Sequence, residues 1–312
     1  MRPRLAILPA IAFGFAAVVF AQAPGVPGGG RAGGFGPPIQ IGPPAPVPSE
    51  VAIPRPTSTE LDQTNAALKR LIDSDKSSSQ ALLKKFEPLM LLQPPRLNTA
   101  ATFTQTGQRR GERHEGFVAR AQQGNIDLLL HGDSITDWWL QDTPQFPNKP
   151  VFDKYFGNMR TADFAIAGDT TQGVLWGLHN GEGQGFQPKA VMLMIGTNNM
   201  GANTAPEIAE GIGAIVLEMR HDFPSAKILL LAIFPRSTPG DPVRDKIADT
   251  NKIIAKLDDR QHVFYMDIGS KFLDDKGVFL PDSFRADNLH PQAKGYDIWG
   301  QAVSAKLAEL MK

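Results

Sequence analysis

Five aliphatic runs recur along the chain, at residues 126–131, 162–166, 190–195, 227–233 and 263–268. They are apolar at consecutive positions rather than at alternate ones, the pattern of strands buried on both faces. Helical periodicity fills the gaps. Thr204 and Glu207 have capping-box spacing ahead of a stripe of Ile208, Ile212, Ile215 and Met219. Asp241 and Pro242 open a further helix that turns Val243, Ile247, Ile254 and Leu257 inward, and Pro291 opens the last. Strands alternating with helices predict an α/β fold with a five-stranded parallel sheet, helices on both faces and right-handed crossovers.

The chain ahead of residue 96 reads differently. Leu61, Leu68, Leu71 and Ile72, then Leu82, Leu83, Phe86, Leu89 and Met90 beyond the break at Ser77 to Ser79, predict two short helices within residues 58–95. Their apolar stripes need cover, from the main domain or across a homodimer. Residues 24–48 hold eight Pro and eight Gly in twenty-five positions, which predicts a disordered linker extending to residue 57. At the start, Arg2 and Arg4 precede an apolar stretch from Leu5 to Phe20 that Pro9 interrupts, with small residues near a cut after Ala21 or Ala23. This reads as a cleaved signal peptide over residues 1–23, hence an exported, periplasmic or extracellular protein with no stable membrane insertion after cleavage.

Charge and composition narrow the partners. Basic and acidic residues balance at 32 each, with no long run of either sign, so no global field draws in nucleic acid or an acidic membrane. There is no cysteine, which removes disulfides and thiolate chemistry. No HExxH or paired HxH is present, and GEGQG at 181–185 lacks dinucleotide spacing, so neither metal nor organic cofactor is expected.

Polar chemistry begins where the first strand must emerge, at HGDSITDWW. Ser134 there lies at the carboxyl end of a parallel sheet, where such folds bind ligands. A serine hydroxyl needs a base, a group that orients the base and donors for the oxyanion. ADNLHP supplies Asp287 and His290 just before a helix. The second strand ends in AIAGDTTQ and the third in IGTNN, where Gly168 and Asn198 can donate from a backbone N–H and an amide; the N–H of Ser134 makes a third donor. Taken singly, Ser134 also fits a helix cap and Asp287 a turn.

The four blocks GDS (132–134), AGDTTQGVLW, GTNN (196–199) and DNLHP (287–291) resemble those of the SGNH (GDSL) hydrolase superfamily, and the longer stretches GDTTQGVLWGLHNGEGQGFQPK and MIGTNNMG resemble in particular the intracellular platelet-activating-factor acetylhydrolase catalytic subunits. The resemblance implies a flavodoxin-like three-layer sandwich over residues 96–312, with Ser134 as nucleophile, His290 as base, Asp287 as its orienter and Ser134, Gly168 and Asn198 as oxyanion donors. It also implies a short-chain, acetyl-removing serine esterase. Export turns the expected substrate toward acetylated carbohydrate. A lysophospholipase or thioesterase shares the scaffold, and a non-catalytic carbohydrate-binding or assembly module is the alternative outside enzymes. Of the remaining residues, Asp169 with Gln172 has capping-box spacing, Asp133 is placed to brace its loop, and Trp138, Trp139 and Trp176 fit a substrate pocket or the core. His131 stands where relatives commonly carry an apolar residue, and a polar contact there would alter the pocket.

Overall fold

The structure, a computed structural model, describes residues 39–312; the expected signal peptide and the first part of the linker lie outside the described residues. Helices α1 (Ser58–Ser74), α2 (Gln80–Met90) and α3 (Glu112–Gln122) precede strand β1 (Leu128–Gly132). The one-turn helix α4 (Ser134–Asp137), a small hairpin of β2 (Asp142–Thr143) and β3 (Phe146–Pro147), and α5 (Lys149–Phe156) follow. Then come β4 (Thr161–Asp163), α6 (Thr171–Gly177), β5 (Ala190–Met194), α7 (Ala205–Asp222), β6 (Lys227–Leu231), α8 (Pro242–Ile254), β7 (Val263–Met266) and α9 (Ala293–Leu310).

Five strands form one parallel sheet in the order β4-β1-β5-β6-β7. The chain starts in the middle, moves to one edge and then crosses to the other side of β1, so the switch in strand order falls between β1 and β5. Every residue of β1 is buried. Leu128 and Leu130 pack with Trp139, Phe156, Trp299 and Val303, while Leu129 packs with Val174, Ile208, Ile212 and Ile215 on the opposite face. At about 1.5–3 kcal/mol per buried side chain, this two-sided packing holds the register of the strand on which the site is built.

Local signals act largely as their chemistry dictates. The Glu207 carboxylate accepts from the N–H and hydroxyl of Thr204 at 2.8 and 2.9 Å, and Asp241 accepts the N–H of Val243 at 2.9 Å. The last helix begins at Ala293, two residues later than Pro291 indicates, because Pro291 bridges Phe284 and the Gln292 N–H is taken by the Ser283 carbonyl. Strand β4 stops short of residue 166 because the Asp163 carboxylate takes the N–H of Ala165.

Where it is described, the stretch expected to be a disordered linker is a strap against the body. Pro44 bridges Thr102, Ala45 donates to the Ala101 carbonyl at 2.8 Å, and Val51 is buried against Gly213 of α7. Arg55 binds Glu210 at 2.5 and 2.7 Å, and the same carboxylate accepts the N–H of Ile53 at 2.8 Å. Proline pre-sets extended backbone and brings no donor to satisfy, so a proline-rich composition that resembles disorder also suits a strap needing few partners. Helices α1 and α2 bury only Leu61 and Ile72, leaving Leu71, Leu82, Phe86 and Leu89 exposed.

Deleting the strap should therefore destabilise the fold. A chain starting at Ser58 should melt at least roughly 5 °C below one starting at Ile39, taking about 2 kcal/mol for Val51 alone and a few degrees per kcal/mol. Equal thermal midpoints for the two chains would show that the strap contributes nothing.

Candidate active site

Strand β1 ends at Gly132, and Asp133 turns the chain into α4 by accepting the N–H of Ile135 at 3.0 Å. Gly132 is required at this turn because a Cβ would lie 2.3 Å from the Met194 carbonyl oxygen. Ser134 thereby becomes the first residue of a helix, only 4% exposed. Its Oγ lies 2.9 Å from His290 Nε2, and His290 Nδ1 lies 2.7 Å from Asp287 Oδ2. The other oxygen of Asp287 accepts the N–H groups of Leu289 and His290 at 2.9 and 3.0 Å, so the carboxylate is fixed by its own loop. That loop is closed by Arg285 N–H to the His290 carbonyl and tied across the site by Ser237 N–H to the Asn288 carbonyl, both at 2.8 Å.

Protonation follows from burial. Burial lowers the pKa of His290 below 6.5, with Asp287 pulling the other way and Arg285 and Arg236 adding to the fall. Burial alone would raise Asp287, but the hydrogen bonds from the His290 side chain and from the two backbone N–H groups hold it below the usual carboxylate value. At neutral pH the imidazole is thus neutral and can accept a proton.

The two other expected donors lie beyond the strands on either side of β1. Gly168, in the loop after β4, is exposed and has φ +82°, a conformation that favours glycine. Asn198 follows β5, and its Nδ2 donates to the Asp169 carbonyl at 2.7 Å. An amide nitrogen carries two hydrogens, so one remains for a ligand. The Ser134 N–H lies in the first turn of α4, where it has no intrahelical acceptor.

Beneath this loop sits a buried ionic cluster. Arg109 is 0% exposed; its Nε donates to Asp169 Oδ2 at 2.7 Å, Nη1 to Glu182, and Nη2 to the Phe164 carbonyl at 3.1 Å. Glu182 also takes His114 Nδ1 at 2.7 Å. Desolvation lowers the pKa of Arg109, but the two carboxylates outweigh it and hold the guanidinium above its ordinary value. Gly173 and Gly177 of α6 make room, since a Cβ would come within 2.0 Å of Asp169 Oδ1 at the first and 2.5 Å of Glu182 Oε2 at the second.

Several expectations are revised. Asp169 is not part of a capping box: it pairs with Arg109, while Gln172 takes the Thr171 hydroxyl and the Asn199 amide. His131 makes no polar contact; both ring nitrogens are buried without a partner, and burial, aided by Arg109, pushes its pKa well below 6.5. Asp133 braces its loop, and burial pushes it up to about 7. Trp139 is core, Trp176 lies against His114, and Trp138 stacks on the His290 ring at 3.9 Å between centroids. Arg285 covers the Trp138 ring at 4.1 Å and the Phe146 ring at 3.4 Å. Sequence reasoning missed Arg109, Glu182 and Arg285. The signal available was the pair of glycines four apart in α6, each costing a helix about 1 kcal/mol and so marking a close approach. A cavity of about 530 Å³ lined by residues including Ile233, Ile247, Tyr265 and Asp267 lies between α8 and the loop after β7, and no triad residue lines it. Among the described residues no group of His, Asp and Glu is arranged to hold a metal ion.

A serine, histidine and aspartate linked in series at the carboxyl edge of a doubly wound sheet, beside uncharged donors, define the arrangement of a serine hydrolase. The chain belongs to the GDSL-like lipase/acylhydrolase family, whose model matches residues 130–298, and it is a hydrolase of ester bonds. It is 34% identical over 205 residues to platelet-activating factor acetylhydrolase IB subunit alpha2 of Rattus norvegicus, covering 65% of this chain and 85% of that protein. To the alpha1 subunit of Homo sapiens it is 30% identical over 199 residues, covering 64% and 82%. The fold matches a GDSL-like lipase of Bacteroides thetaiotaomicron with a TM-score of 0.51 at 15% identity, covering 63% of this chain and 97% of that one.

Removing the central cation should leave Asp169 and Glu182 buried without a counter-charge. Arg109→Leu is expected to lose about 3–5 kcal/mol of stability in denaturant unfolding. An Arg109→Leu protein as stable as the parent would contradict the ionic cluster's role.

Proposed function

We propose that this protein is an exported serine esterase that removes short acyl groups, chiefly acetyl, from carbohydrate esters. The observation that carries the reading is the 2.9 and 2.7 Å series from Ser134 through His290 to Asp287, beside donors left free at Ser134, Gly168 and Asn198. Ser134 Oγ attacks the ester carbonyl while His290 Nε2 takes its proton, and the three donors receive the oxyanion. Collapse expels the alcohol, which takes the proton back from His290. Water, deprotonated by the same imidazole, then releases the acid from Ser134. Asp287 holds the Nδ1 proton and balances the transient imidazolium, and Trp138 packs against one face of the ring.

The acetyl preference is supported by the relatives' names, and the carbohydrate by the expected export, because an exported esterase meets acetylated polysaccharide. The exposed Leu71, Leu82, Phe86 and Leu89 are where two copies would join; by light scattering a chain starting at Arg96 should then be a monomer where the parent is a dimer, and an unchanged number of subunits would remove the dimer. Nitrophenyl esters from acetyl to octanoyl, run beside acetylated xylan and a phospholipid, test the substrate. Acetyl esters and xylan should be turned over fastest, and preference for the longer chains or the phospholipid would refute the acetyl-carbohydrate reading.

Ser134→Ala should keep the fold and lose on the order of a thousandfold or more in turnover, and Asn198→Ala about a hundredfold with a smaller change in KM. Near-normal turnover in pure Ser134→Ala protein would end the mechanism. Because burial depresses His290, kcat/KM should rise with pH along an acid limb centred below 6.5 and then level off. A limb centred above that value, or none at all, would count against His290 as the base.

A further inference from the structure

The loop leading into α3 lies ahead of the stretch that matches the family, yet it reaches Gly168 in the loop after β4. Arg109 pins it from below. Its backbone N–H donates to the Thr106 carbonyl at 3.2 Å, and its carbonyl accepts from Gln105 Nε2 at 3.3 Å. Gln108, immediately before this locked arginine, is exposed and its amide makes no hydrogen bond with another described residue. A Cβ built on Gly168 would meet Gln108 Nε2 at 3.3 Å, Cγ at 3.7 Å and Cδ at 3.9 Å. The free amide therefore lies across the open Cβ side of Gly168, the glycine proposed above as an oxyanion donor.

We propose that Gln108 is a further catalytic residue, whose Nε2 donates to the substrate carbonyl oxygen as that oxygen takes up negative charge. The direction of the chemistry selects this oxygen over the ester's other one. The departing alcohol must lie by His290 Nε2 to receive its proton, whereas Gln108 is placed beside Gly168, one of the donors proposed to receive the carbonyl oxygen. An uncharged amide also suits the task, because it strengthens as charge develops without binding the ground state tightly. Glutamine must give up rotamer freedom to make the bond, so its effect should be smaller than that of the Asn198 amide, which is already held.

The inference rests on the proposed oxyanion site, so the experiment includes Asn198→Ala as its reference. Steady-state hydrolysis of 4-nitrophenyl acetate and thermal midpoints would be measured for the parent, Asn198→Ala, Gln108→Leu and Gln108→Glu. Gln108→Leu, similar in size but without a donor, should lower kcat about tenfold with KM changed by less than about twofold. Gln108→Glu should fall further, since a carboxylate would face the developing charge, and both should melt with the parent. Parental kcat in Gln108→Leu, a loss confined to KM, or a fall in thermal midpoint that tracks the rate would each overturn the role. If Asn198→Ala is also silent, the oxyanion site itself is misassigned; if Asn198→Ala is slow and Gln108→Leu is not, Gln108 alone falls.

Discussion

Much of this structure turns on one guanidinium buried between two carboxylates. Arg109 joins the loop before α3 to Asp169 in the loop after β4 and to Glu182 beyond α6. Desolvating three charges is expensive, and the cost is offset only if each is placed to match the others and the spare hydrogen bonds are filled. The Phe164 carbonyl, Thr106 and His114 fill them. A cluster that tolerates so little displacement makes a stiff base for the segment it supports, and that segment carries Gly168 and the carbonyl to which Asn198 is bonded.

In the proposed mechanism stiffness there matters, because oxyanion stabilisation works only if the donors need not move when charge appears. The site divides this demand between two kinds of support. On one side, strand ends β1, β4 and β5 and the ionic cluster fix the donors. On the other, the base rides on a loop whose carboxylate is held by the very N–H groups that follow it, with Trp138 stacked on the imidazole and Arg285 laid on Trp138. Burial keeps that imidazole neutral, while Asp287 is placed to steady it once it accepts a proton. Donors and base are thus built from separate parts of the chain that meet at Ser134.

The sheet was legible because strands buried on both faces leave continuous aliphatic runs, and the capping signals at Thr204 and Asp241 are local chemistry acting over three residues. Ser134, Gly168, Asn198, Asp287 and His290 were legible as blocks, since each lies in a short stretch whose residue types have few other uses together. Arg109 was not: nothing in GQRRGER separates it from Arg110, and only the fold decides which arginine turns inward. The strap at 42–55 was misread because composition reports what a segment could bury alone, not what α7 offers it. Trp138 and Trp139, adjacent and alike, part company at the end of α4, one to the catalytic ring and one to the core.

The central claim is that Ser134 forms a covalent acyl intermediate under these donors. Inactivation by a 4-nitrophenyl alkylphosphonate, followed by peptide mapping, tests it most directly, because the adduct mimics the tetrahedral intermediate and does not turn over. The account predicts release of nitrophenol in equal amount to enzyme, complete loss of esterase activity and a single modified residue, Ser134. An adduct on any other residue, or activity that survives stoichiometric labelling of Ser134, would contradict it.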